Sequence, residues 1–279
     1  MQVAMTQMNI IWEDRKANLK KAERLVRKAR EEGAQLVIFP EMAFTGFSMN
    51  LDKTAEEPVK KAEEQEHILI TPSAIKILEW SGRYDIAVVA GYAAKREDKG
   101  INCLMAAEEG QIAGYYEKIH PFSYGEEGKY FLGGSRLCRC RLRNFLFSMF
   151  ICYDLRFPEI FQAVSGDCSG ILVVANWPGE RIQHWKVLLQ ARAIENQCYV
   201  LGINRTGRGG GLEYQDSSLC FDPWGKPVQG RKILLHEGRA EDSLIIVNLE
   251  EELAQECRRK FPLKSDRRTE LYRQLLKEQ

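Results

Sequence analysis

The sequence predicts an α/β fold made of two packed sheets with helices outside. Three observations carry this. The chain opens strand, helix, strand. That unit then repeats, and the apolar runs add up to roughly ten strands against some four or five helices, more sheet than one layer holds comfortably.

Residues 1–10 set Val3, Met5 and Met8 among polar neighbours and read as a strand. Leu19, Ala22, Leu25, Val26 and Ala29 then recur at helical spacing, and Gly33 ends the run. "QLVIFPE" is a short β-branched and aromatic segment stopped by Pro40, a buried strand that delivers Glu41 to its end. In "TPSAIKILEWSG", Thr71 is a cap, Pro72 takes the first helical position and Gly82 marks the far end; "DIAVVAGYA" is the buried strand after it. "INCLMAAEEG" and "QIAGYYEK" form two strands joined by a turn around Gly110, ahead of the Gly-rich loop "SYGEEGKYFLGGS". Further on, "NFLFSMFIC", "GILVVAN", "CYVLGIN", "SSLCFD" and "SLIIVNLE" read as strands and "HWKVLLQARAIENQ" as a helix. The tail "ECRRKFPLKSDRRTELYRQLLKEQ" carries both signs of charge and reads as a helix, either solvated or laid on a partner subunit. With no repeat, low-complexity segment or Pro/Ser-rich linker to mark a boundary, one large domain is the simplest layout.

Composition narrows the function classes. Lys and Arg number 40 against 39 Asp and Glu, a formal net charge of +1, so no overall field exists to hold nucleic acid or an anionic membrane. The start "MQVAMTQMNI" has no basic leader or small-residue cleavage site, and no stretch approaches the ~20 apolar residues of a membrane span. A cytoplasmic protein with neither nucleic-acid nor membrane partners is expected. The eight cysteines then read as reduced thiols. Cys138 and Cys140 form a Cys-x-Cys pair without a second pair or a histidine at zinc spacing, so they read as structural. No metal and no other cofactor is expected.

Ionisable groups at strand ends project into the crevice where α/β folds bind ligands, and three stand out. Glu41 follows "VIFP", Lys118 ends "GYYEK", and Cys152 ends "FLFSMFI". Singly, each has an ordinary reading: a buried core thiol, or a solvated loop charge. Together they suggest a reaction. A cation beside a thiol lowers its pKa and a carboxylate can take its proton, which is what an activated nucleophile needs. The N–H of Tyr153, just after the thiol, and the Lys118 ammonium can both stabilise the oxygen of an attacked carbonyl. The chemistry implied is acyl transfer through a thioester.

"FPEMAFTGF", "YYEKIHPF" and "ICYDLRFPE", in this order and followed by "VVANWP" and "HWKVLLQARAIENQCYVLGINRTG", resemble the carbon-nitrogen hydrolase (nitrilase) superfamily. The likeness covers about residues 1–265, leaving 266–279 as a C-terminal tail. It implies a four-layer α-β-β-α sandwich, commonly paired into a homodimer or higher homo-oligomer through helices after the cysteine strand. It also implies Glu41 as general base, Lys118 as the group stabilising the tetrahedral intermediate, Cys152 as nucleophile, and a second glutamate at Glu127, with Glu126 as the fallback.

Around these, Arg156 is read either as a ligand for a substrate carboxylate or as scaffold paired with Asp154 or Glu159, with scaffold preferred. Trp177 suits a pocket wall, His120 a hydrogen-bonded structural role, and His184 and Trp185 packing at a helix start. Within the superfamily the same motifs look most like the omega-amidase branch, which implies the terminal amide of 2-oxoglutaramate or 2-oxosuccinamate as substrate and a cationic or N–H-rich pocket for its far carboxylate. Other short aliphatic amides, N-carbamoyl compounds, a non-catalytic binding protein on the same fold and a redox-sensing thiol stay open at this point.

Overall fold

The computed structural model describes residues 1–62, 65–237 and 240–277. Two mixed sheets face each other. The larger runs in the order Arg231–Glu237, Ala240–Asn248, Gln2–Gln7, Leu36–Ile38, Ala87–Arg96, Lys99–Glu108, Gln111–Glu117. Gln2–Gln7, Leu36–Ile38 and Ala87–Arg96 pair in parallel, as the repeated strand-helix-strand units require. The smaller sheet runs Arg139–Leu142, Phe145–Ile151, Gly170–Ala175, Tyr199–Asn204, Leu219–Phe221, and its middle three strands are also parallel.

The layering follows from which side chains each strand sends to each face. Val3, Met5, Leu36, Ile38, Ala87 and Val89 share one core with Phe147, Met149, Leu172 and Val174 of the smaller sheet. Their neighbours Ala4, Val37, Val88 and Ala90 share a second core with Leu25 and Val26 of the helix Arg15–Glu31 and with Ile77 and Trp80 of the helix Pro72–Arg83. Because both faces are covered, these strands appear in the sequence as unbroken apolar runs rather than as alternation. On the far side, the helix Ile182–Asn196 lies against the smaller sheet so closely that a Cβ at Gly202 would fall 2.3 Å from Leu189. Helix, sheet, sheet, helix is the four-layer sandwich.

Local chemistry sets the helix ends. Asp14 caps the first helix by accepting from Ala17 N–H at 3.0 Å, and Gly33 at φ +86° turns the chain away after it. Thr71 accepts from Ala74 N–H at 3.2 Å with Pro72 next in line. The helix does not stop at Gly82 but runs through it to Arg83. Gly82 answers a contact instead, since a side chain there would meet the backbone of Gly110 at 3.4 Å.

Two further readings are corrected. The tail is not one helix: Pro262 separates Leu253–Lys260 from a single turn at Leu263–Asp266, and a second helix spans Thr269–Lys277. The Gly-rich loop holds short helical turns at Ser123–Gly125 and Glu127–Tyr130. Among the described residues no helix is long and apolar enough to cross a membrane. All eight cysteines are free thiols. Cys138 and Cys140 are buried against Gly114, where an added Cβ would come within 2.6 Å of the Cys140 Cβ. Among the described residues no group of three or more His, Cys, Asp or Glu is placed to hold a metal ion.

Candidate active site

Glu41, Lys118 and Cys152 come from three different strands, two in the larger sheet and one in the smaller. Glu41 lies just past Leu36–Ile38, beyond Phe39 and Pro40. Its backbone is pressed on Gly91 of the next strand, where any side chain would stand 2.8 Å from Glu41 Cα and Pro40 O. Lys118 follows Gln111–Glu117 and stays in register through its N–H to Asn102 O at 2.9 Å. Cys152 follows Phe145–Ile151 at φ +47° and starts the single-turn helix Cys152–Arg156. A non-glycine residue held there is strained, and the first N–H groups of such a turn have no acceptor inside it.

The side chains converge. Lys118 Nζ donates to Glu41 Oε1 at 2.9 Å and to Glu127 Oε2 at 2.8 Å, with all three groups buried. Asn102 Nδ2 donates to both carboxylates, at 2.9 Å to Glu41 Oε1 and 3.0 Å to Glu127 Oε1. Phe122 N–H donates to Glu127 Oε2 at 2.6 Å. Asn176 secures the other oxygen of Glu41, its N–H donating to Oε2 at 2.9 Å. Cys152 lies near enough to Glu41, Lys118 and Glu127 for all three charges to act on its thiol. Glu126, the fallback, is exposed and pairs with Lys129 at 2.5 Å, so Glu127 is the second glutamate of the cluster.

Two carboxylates against one ammonium decide the electrostatics. Burial alone pulls the Lys118 ammonium down, but the charges of Glu127 and Glu41 outweigh it and hold the lysine above its ordinary range. Burial pushes the Glu127 carboxyl up, with Glu41 adding to it and Lys118 opposing. Burial likewise pushes the Cys152 thiol up; Glu41 and Glu127 raise it further and Lys118 only partly compensates. The expected lowering of the thiol pKa by the lysine is therefore reversed. The thiol is thereby held toward its protonated form rather than as a free thiolate.

Asp154 ties the cysteine turn to the lysine segment. Fully buried, it accepts from Ile151 N–H at 3.1 Å, from Tyr116 O–H at 2.8 Å and from His120 N–H at 3.0 Å, and it sits 2.8 Å from His120 Nδ1. His120 also stacks on Phe157 at 3.8 Å, which agrees with its structural reading. With its carboxylate so occupied, Asp154 forms no ion pair with Arg156 among the described residues, and neither does Glu159. Arg156 lies instead over the ring of Trp177 at 4.9 Å, with His184 Nδ1 at 3.4 Å. His184 is exposed rather than packed, whereas Trp185 is fully buried.

A cavity of about 50 Å³ opens beside Cys152 and Tyr153 between Phe47, Phe122, Trp177 and Tyr214. Trp177 is the wall its position suggested, fixed by its Nε1–H to Arg181 O at 2.8 Å. Arg156 and Arg181 are the charged residues of the lining, which contains no carboxylate. Sequence reasoning passed over Asn102, Asn176, Arg181 and Tyr214. Two of them left a signal: Asn102 interrupts an apolar strand, and Asn176 ends "GILVVA" just as Cys152 ends "FLFSMFI". Arg181 and Tyr214 left none.

Comparison with known proteins now adds to the geometry. Residues 2–259 match the family described as carbon-nitrogen hydrolase. Over 274 residues the chain is 32% identical to 2-oxoglutaramate amidase of Bacillus subtilis (strain 168), covering 97% of this chain and 98% of that one. It is 29% identical to the omega-amidase YafV of Escherichia coli (strain K12), covering 95% and 96%. Among solved structures, XC1258 from Xanthomonas campestris, a CN-hydrolase superfamily protein with an arsenic adduct in its active site, superposes with a TM-score of 0.81 at 28% identity over 96% and 97% of the two chains. An amidase from Nesterenkonia sp. shares the fold, at TM-score 0.78 and 23% identity over 99% and 96%. The chain belongs to the carbon-nitrogen hydrolase family.

Proposed function

We propose that this amide-hydrolysing enzyme acts through a Cys152 thioester on a small amide with a carboxylate at its far end, of which 2-oxoglutaramate and 2-oxosuccinamate are the best candidates. The observation that supports it most is the pairing of Glu41 and Lys118 next to Cys152, which lines the pocket. The pocket's charges support the substrate class. A carboxylate entering it meets Arg156 and Arg181 and no opposing acid in the lining, which favours an anionic substrate end there. The relatives named 2-oxoglutaramate amidase and omega-amidase point the same way.

In the reaction, Glu41 takes the thiol proton as sulfur attacks the amide carbon, so no free thiolate is needed beforehand. The carbonyl oxygen becomes an oxyanion, stabilised by the Lys118 ammonium and the Tyr153 N–H. Glu41 then gives its proton to the departing nitrogen, and ammonia leaves. Water attacks the thioester with Glu41 again accepting a proton; collapse releases the diacid, and the sulfur recovers its proton from Glu41. Glu127 holds Lys118 in place from behind, and Trp177 walls the pocket.

The test is ammonia release from a panel of amides that includes 2-oxoglutaramate, succinamate, N-carbamoyl compounds and neutral short-chain amides, with wild type and Cys152→Ala. Release from the anionic omega-amides, absent in the variant, is the expected result. A preference for neutral amides or N-carbamoyl compounds would replace the substrate assignment.

A further inference from the structure

We infer that Arg181, with the phenol of Tyr214 beside it, is the determinant that selects substrates with a distal carboxylate; this rests on the function proposed above. Both cations in the pocket wall are candidates for that contact, but they are not equally free. The Arg156 guanidinium already has a polar partner, His184 Nδ1 at 3.4 Å. Arg181 forms no ion pair and donates no side-chain hydrogen bond among the described residues.

Its backbone is nevertheless fixed. Its carbonyl accepts from the Trp177 indole at 2.8 Å, and it closes the single turn Gly179–Arg181 that leads into the helix Ile182–Asn196. The guanidinium lies 5.8 Å from the centre of the Phe122 ring, the aromatic wall next to Tyr153. A guanidinium resting on an aromatic face keeps its in-plane donors available, and its planar fork matches a carboxylate. An unpaired arginine on a rigid wall beside the nucleophile is thus prepared for an anion.

Tyr214 supplies the second element. Its ring stacks on the buried Arg205 at 4.5 Å, and it lines the same cavity as Cys152 and Arg181. Arg205 makes no ion pair among the described residues; it is held by the carbonyls of Ile10, Thr206 and Arg208, so its charge is not cancelled locally. A cation over the ring withdraws electron density and makes the phenol O–H a stronger donor to an incoming anion. Burial pushes that phenol up to about 12, so at neutral pH it remains a donor. A neutral amide that lacks the distal carboxylate has nothing to offer either group, so the pair contributes discrimination rather than chemistry.

The experiment compares kcat/KM for 2-oxoglutaramate and for butyramide in wild type, Arg181→Met, Arg181→Lys and Tyr214→Phe. Loss of a charge-assisted contact lowers the ratio of the two constants by about 10- to 100-fold in Arg181→Met, mainly through KM for the anion. Arg181→Lys recovers part of the ratio and Tyr214→Phe lowers it by about 3- to 10-fold. Equal losses on both substrates in Arg181→Met, or an unchanged ratio, overturn the inference while leaving the proposed function standing. A wild type inert toward 2-oxoglutaramate but active on butyramide overturns both.

Discussion

Glu41 and Asn176, 135 positions apart, are joined by three hydrogen bonds: the Asn176 N–H donates to Glu41 Oε2 at 2.9 Å, and its side-chain amide donates to the Glu41 carbonyl at 2.6 Å and to Oε2 at 3.4 Å. Glu41 follows a strand of the larger sheet and Asn176 one of the smaller, so these hydrogen bonds clip the two sheet ends together. They also point Oε1 at Lys118. Asn176→Ala keeps the backbone N–H to Oε2 but removes the side-chain amide and leaves the Glu41 carbonyl without that donor, an omission that costs about 1–3 kcal/mol. We expect a lower Tm and a fall in kcat of ten-fold or more, read by thermal melting and ammonia release on the same preparation.

Cys152→Ser and Glu41→Gln should each lose nearly all turnover, while Glu41→Gln still binds substrate. Single-turnover assays with mass detection check this: neither variant should build an acyl adduct at the wild-type rate. Near-normal turnover in either removes the mechanism.

Lys118→Ala should lower kcat by at least the ~100-fold typical of deleting one oxyanion donor. It also strands Glu41 and Glu127 as buried like charges, and breaking a buried ion pair costs about 3–5 kcal/mol. A denaturant melt alongside the assay separates the two effects. Full stability with full activity would contradict both.

The raised pKa of Cys152 fixes the sign of a pH experiment. A thiol is neutral when protonated, so a value above the ordinary range leaves little thiolate at neutral pH, growing about tenfold per pH unit until that value is passed. Inactivation by iodoacetamide should therefore keep accelerating past about pH 9, with no plateau near neutrality. Glu41→Gln removes a neighbouring negative charge and should shift the curve to lower pH while turnover collapses. A plateau below about pH 7 in wild type would mean a preformed thiolate.

Cys138→Ser and Cys140→Ser should leave kcat within about twofold, since neither sulfur reaches the site and polar replacement in a packed core acts on stability. Gly114→Ala is the sharper probe of that corner. Its Cβ would overlap the Cys140 Cβ, and overpacking costs about 1–3 kcal/mol. A large fall in Tm with unchanged KM is expected by calorimetry and steady-state kinetics.

Much of this was legible in the sequence because burial on both faces writes itself as unbroken apolar runs. Leu36–Ile38, Phe145–Ile151 and Gly170–Ala175 were found that way. The strand Arg231–Glu237 was not, because an edge strand pairs on one side only and carries charge at both ends. Glu41, Lys118 and Cys152 could be picked out as charged or nucleophilic groups ending greasy segments. Their meeting could not, since it depends on how two sheets dock. The direction of the thiol's pKa was misread for a related reason: one cation is visible beside the cysteine motif, but the balance of two carboxylates and desolvation exists only after folding. Arg181 and Tyr214 lie on a single three-residue turn and a short ribbon, too brief for periodicity to carry information.

The division of the reactive groups between two sheets means that neither half of the chain owns a catalytic centre. Phe145–Ile151 delivers the sulfur from one side, and the segments around Glu41 and Lys118 deliver base and ammonium from the other. Turnover is consequently an assay of assembly: in a titration with urea, enzymatic output and the optical signal of the inter-sheet core should vanish at one midpoint.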